Sequence, residues 1–156
     1  MKKEQITMNQ YTLSILAILG GVFLAAQGGL NSNLGVLLKN PLLASVVAFF
    51  SSTIFAFAFV LLSVKSAPNW MEIRQIPVYL WFTGGLFSVL GISLYYYTIP
   101  KLGISTMISL GLFGQLAFSV IAGHFGWLNL PAEPITIKRL LGLITMITGI
   151  LLINIK

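Results

Sequence analysis

Long stretches of this chain carry no charge. Between its few ionised side chains lie the runs 5–38, 40–64, 75–100, 102–132 and 140–155, uncharged apart from the titratable His124. A helix needs about 20 apolar residues to cross the hydrocarbon of a bilayer. The runs therefore predict five crossings, near 12–37, 42–64, 77–99, 103–123 and 136–155. The last of these begins beneath the aliphatic stems of Lys138 and Arg139, which can snorkel to the interface. Only 8% of the 156 residues are charged, against about a quarter in a soluble domain, and the mean hydropathy is +0.95. So few charges cannot cover a water-exposed surface of this size, which excludes a soluble enzyme and makes the lipid bilayer the first partner. The expected fold is all-α: one polytopic transmembrane domain over 1–156.

The net charge of +6 sets nine Lys and Arg against Glu4, Glu72 and Glu133. No basic run is long enough to track a phosphate backbone, so nucleic acid is not an expected partner. There is no cysteine and only one histidine, so no metal cage and no thiolate chemistry are expected, and no cofactor is implied. None of the serines has a plausible base in its membrane plane, and a catalytic role is not read from them. With loops alternating in side, Lys2, Lys3, Lys65, Arg74, Lys138 and Arg139 fall on one face and Lys39, Lys101 and Lys156 on the other. Six against three modestly favours a cytoplasmic N-terminus and an external C-terminus.

Asn40-Pro41 is expected to end span 1 and start span 2, since proline suits a first helical turn. Pro100-Lys101 is expected to divide spans 3 and 4, and Pro68, Asn69, Pro131 and Pro134 mark the loops 65–76 and 124–135. Lipid is as apolar as leucine, so helices associate through close packing of small residues and interhelical hydrogen bonds. Gly21, Gly28 and Gly35 recur every seven residues and form a stripe on span 1, which is expected to be central. Span 2 has no glycine and five phenylalanines, Phe49, Phe50, Phe55, Phe57 and Phe59. It is expected at the periphery, facing lipid or a partner protomer.

An amide inside hydrocarbon must find a partner, so intramembrane polar groups are functional candidates. Gln27 and Asn31 are one turn apart and about 40° apart around the axis, on a shared face, while Asn33 points roughly opposite. Gln115 lies one turn before Ser119 in span 4. These amides can line a solute cavity or simply glue helices together, and both roles stand at this point. Tyr95, Tyr96 and Tyr97 cover most of a helix circumference, so at least one faces inward, although tyrosine is also the usual interfacial belt residue. Gln27, Asn31, Gln115, Ser119 and Tyr96 form the candidate substrate-binding set. His124 reads as an interfacial histidine with a proton-carrying role as the alternative. No Asp or Glu lies within a span, although proton-coupled cation antiporters usually keep one in the pathway.

These residues resemble the half-size, five-span YdcZ-like family of the drug/metabolite transporter superfamily. The segment Gln27-Gly28-Gly29-Leu30-Asn31-Ser32-Asn33-Leu34-Gly35 looks like the family's glutamine/asparagine motif, and Pro41 to Ala44 like its Pro-x-x-Ala start to the second span. Gly114-Gln115, His124-Phe125-Gly126 and Arg139-Leu140-Leu141-Gly142 are similar to its second half. The family commonly has an aspartate before the histidine, where this chain has Gly123. The resemblance implies small-molecule transport across the inner (plasma) membrane by two five-span units. An odd number of spans lets two oppositely inserted copies supply an inverted repeat. The expectation is an antiparallel homodimer with dual topology, alternating access through a cavity shared by Gln27, Asn31 and Gln115 of each protomer. A passive channel or facilitator, and a non-transporting subunit of a larger membrane complex, are the alternatives.

Overall fold

The computed structural model describes residues 9–66, 68–129 and 132–154. Lys2, Lys3, Glu4, Pro131, Ile155 and Lys156, used above for topology, turns and span ends, lie outside the described residues. Five helices are long and apolar enough to cross a membrane: α1 (Gln10–Leu37), α2 (Pro41–Ser63), α4 (Val78–Leu102), α5 (Ile104–His124) and α6 (Ile137–Asn154). A short helix, α3 (Trp70–Arg74), stands within the loop after α2. The Glu72 carboxylate accepts the Asn69 N–H at 3.1 Å and closes its first turn. The Arg74 guanidinium lies 5.3 Å from the centre of the Trp70 ring. The chain divides into two compact units, Met1–Tyr97 and Thr98–Lys156.

In the first unit, α1 and α2 form a tight hairpin. Lys39 takes a left-handed φ of 54°, which lets Asn40 N–H reach Gly35 O at 3.0 Å and Lys39 N–H reach Val36 O at 3.0 Å. Those two bonds are the paired closure of a Schellman C-cap. The Asn40 side chain then accepts Leu42 N–H at 2.8 Å and Leu43 N–H at 3.3 Å, capping α2 with Pro41 in its first turn. Gly35 lets the helices approach: a Cβ placed there would stand 3.4 Å from Pro41 Cα and 3.5 Å from Ala44 Cβ. Ala44, Ala48 and Tyr96 form the buried cluster, with Leu34, Ile92 and Tyr95 packed around it.

Two packing expectations change here. The glycine stripe of α1 is used only in part: Gly28 and Gly35 are buried, but Gly21 is exposed, with nothing within 4 Å of an added Cβ. The first two turns of α2 belong to the core, because Ala44, Ser45 and Ala48 are buried and small enough to do there what glycine does in α1. Phe50, Phe55, Phe57 and Phe59 do point outward.

In the second unit, the break before α5 falls at Gly103, not at Pro100. α4 runs through Pro100 to Leu102, and Gly103 turns the chain with φ 84°, a conformation that favours glycine. α5 and α6 pack together, with Met107, Ala122 and Ile150 buried. The connection folds back on α5: Glu133 N–H donates to Gly123 O at 2.8 Å, and Ile135 N–H to His124 Nδ1 at 3.4 Å. His124 is exposed.

Candidate functional site

The first unit holds a polar cluster between α1, α2 and α4. Asn31 Nδ2 donates to the Tyr96 hydroxyl at 3.0 Å, and Gln27, one turn earlier on α1, stands beside the same phenol. Tyr96 is 1% exposed and Asn31 and Gln27 are half-buried, so the phenol is anchored in the core while the amides lie at its edge. Three residues before Tyr96, Ser93 shares a hydrogen bond of 2.9 Å with Ser45 of α2. Ser45 also donates to Pro41 O at 3.0 Å, in which case Ser93 supplies the proton between the two hydroxyls.

Helix geometry places the cluster along its two helices. Asn31 and Tyr96 each stand six residues before the last residue of their helices, Leu37 and Leu102, about 9 Å along the axis at 1.5 Å per residue. α1 and α4, at 28 and 25 residues, are longer than the roughly 20 needed to cross a hydrocarbon core, so the cluster lies toward one end of these two spans. No buried side-chain nitrogen or oxygen among the described residues lacks a partner. The cluster offers amide and hydroxyl donors and acceptors and carries no fixed charge.

The family model described as "Putative inner membrane exporter, YdcZ" matches residues 12–152, from the start of α1 into the last turn of α6. The chain belongs to the YdcZ family. It is a multi-pass protein of the inner membrane and a membrane transporter. Neither a curated protein nor a solved structure matches the chain.

In this YdcZ family member, three of the five residues singled out from sequence, Gln27, Asn31 and Tyr96, come together. Gln115 and Ser119 lie one turn apart on α5, in the other unit, both exposed, and Ser119 Oγ donates back to Leu116 O at 2.8 Å. Asn33 is exposed, away from the cluster. Two features escaped the sequence reading. The Ser45–Ser93 pair carried a weak signal, since Pro41, Ser45 and Ala44, Ala48 are pairs of compact residues at helical spacing. The ion pair of Arg139 with Glu133 joins two residues read only as a loop acid and an interfacial cation.

Proposed function

We propose that the protein exports a small polar solute by alternating access, through a cavity completed by a second, antiparallel copy of the chain. The observation that carries the reading is the Asn31–Tyr96 hydrogen bond with Gln27 beside it. An uncharged donor–acceptor set within the membrane-spanning helices suits a neutral or zwitterionic solute, which exchanges its hydrogen bonds for those of the cluster without leaving a charge unpaired. Gln115 and Ser119 are assigned as further polar contacts on α5. The odd number of spans and the weak charge asymmetry favour the antiparallel pair.

The test uses purified protein in liposomes with a panel of labelled metabolites. Gradient-driven accumulation that is lost in Gln27→Ala and Asn31→Ala, together with loss of ligand-induced thermal stabilisation in the same variants, is the expected result. Unchanged transport in both variants removes the cluster from the pathway. C-terminal reporter fusions that show one orientation, with no second protein present, remove the antiparallel pair. A passive facilitator is the second reading, favoured by the lack of any acid within the spans. It predicts flux that only dissipates a gradient. Silence until another membrane protein is added would make the chain a subunit.

A further inference from the structure

α5 and α6 leave between them an open groove of about 470 Å³. Leu116 and Val120 line it from α5, Leu143 and Met146 from α6, each set brought to one helix face by its spacing. Leu116 stands eight residues before His124, the last residue of α5, about 12 Å along the axis. The groove thus runs from the charged end of the two helices, marked by Glu133 and Arg139, into their apolar length. Its floor includes Gly142, where an added Cβ would meet nothing within 4 Å.

The boundary end carries two opposite charges. Arg139 pairs with the Glu133 carboxylate and donates from Nη1 to Glu133 O at 3.2 Å and Pro134 O at 3.4 Å. Those backbone bonds hold the guanidinium at the mouth whatever the carboxylate does. The side chains are 39% and 59% exposed, so an incoming group can reach both. Lys138, the neighbouring cation, is one residue earlier on α6 and therefore about 100° around the axis.

A ligand matched to this groove is elongated, with an apolar body and a head bearing both signs of charge. A purely anionic head would meet Glu133 and a purely cationic one Arg139; a head with phosphate and ammonium together satisfies both. We propose that the α5–α6 groove binds a zwitterionic phospholipid of the surrounding bilayer, its phosphate on Arg139, its primary ammonium on Glu133 and one acyl chain along Leu116, Val120, Leu143 and Met146. The site lies within the second unit and uses none of Gln27, Asn31 and Tyr96; Ser119, assigned above to the solute, also lines the groove, but the lipid contacts proposed here do not include it.

The experiment is native mass spectrometry of the full chain released from mixed detergent–lipid micelles containing equal phosphatidylethanolamine, phosphatidylcholine and phosphatidylglycerol. Wild-type protein is expected to retain phosphatidylethanolamine over the other two by roughly threefold, the scale that a partly exposed ion pair supports. The choline head has no N–H to donate and the glycerol head no cation. Glu133→Gln should abolish the preference over phosphatidylglycerol. Gly142→Leu, which fills the groove and leaves both charges in place, should remove most retained lipid of every kind, and it keeps the test open if Glu133→Gln fails to fold. Equal retention of the three lipids by wild type, a preference for phosphatidylglycerol, or retention unchanged in Gly142→Leu would each overturn the proposal.

Discussion

Gly35 and Gly142 are alike in sequence, each embedded in an apolar helix, and opposite in surroundings. Around Gly35 the backbone of α2 closes in, with Pro41 Cα 3.4 Å from where a Cβ would stand; around Gly142 there is open space. The first unit uses the missing side chain to bring helices together and to bury Ala44, Ser45 and Tyr96. The second uses it to keep a groove open. In lipid, where apolar contact alone does not draw helices together, a small residue is a contact only when a hydrogen bond or another small residue opposite completes it. The seam around Gly35 has the Asn31–Tyr96 and Ser45–Ser93 bonds between helices, whereas the groove at Gly142 has an ion pair at its mouth and, on its wall, Ser119 bonded back to Leu116 O of its own helix.

The sharpest way to break this contrast is the same substitution at both glycines. Gly35→Leu drives a branched side chain into the α2 backbone and should cost about 3 kcal/mol or more of stability, the upper range for overpacking, read as a drop in the midpoint of thermal or denaturant unfolding in detergent. Gly142→Leu should unfold no earlier than wild type, because leucine enters open space and is a better helix former than glycine by roughly 0.8 kcal/mol. Equal losses at the two positions would mean the groove is closed in the membrane.

Tyr96→Phe comes next. It keeps the ring in the Ala44–Ala48 cluster and removes the oxygen that accepts from Asn31, leaving a half-buried amide short of a partner at a cost of about 1–2 kcal/mol. Transport should fall further than stability does, since Gln27 stands beside the same phenol. Full transport in a folded Tyr96→Phe variant would reduce the cluster to helix glue. Smaller again is the hydroxyl pair: a double-mutant cycle of Ser45→Ala and Ser93→Ala should give a coupling near 0.6 kcal/mol, the usual scale within membranes.

The five crossings were legible because charge is a direct report on the solvent: nothing but hydrocarbon tolerates runs like 40–64. The shared face of Gln27 and Asn31 was legible from helical periodicity, and the tyrosine triplet implied that one ring faces inward without saying which. Packing was much less readable. Gly21, Gly35 and Gly142 share one letter, and only the partner helix decides which is a contact. The chain break at Gly103 was hidden by Pro100, which the last turns of α4 accommodate. The bond between Glu133 and Arg139 depends on how the connection folds back onto Gly123 and His124, a tertiary fact with no local pattern.

The smallest expected effect sharpens the comparison from the other side. Glu133→Gln removes the charge from a pair whose members are 59% and 39% exposed, and solvent screening limits such pairs to about 0.5 kcal/mol. Arg139 keeps its bonds to the Glu133 and Pro134 carbonyls, so the α5–α6 connection should hold its place, and the unfolding midpoint should barely move with salt or with the mutation. A loss of about 2 kcal/mol would instead make the ion pair the second unit's counterpart of the Asn31–Tyr96 bond, a structural tie rather than a recognition pair. The seam and the mouth of the groove would then be built on one principle, and Glu133 would no longer be available to select an ammonium head.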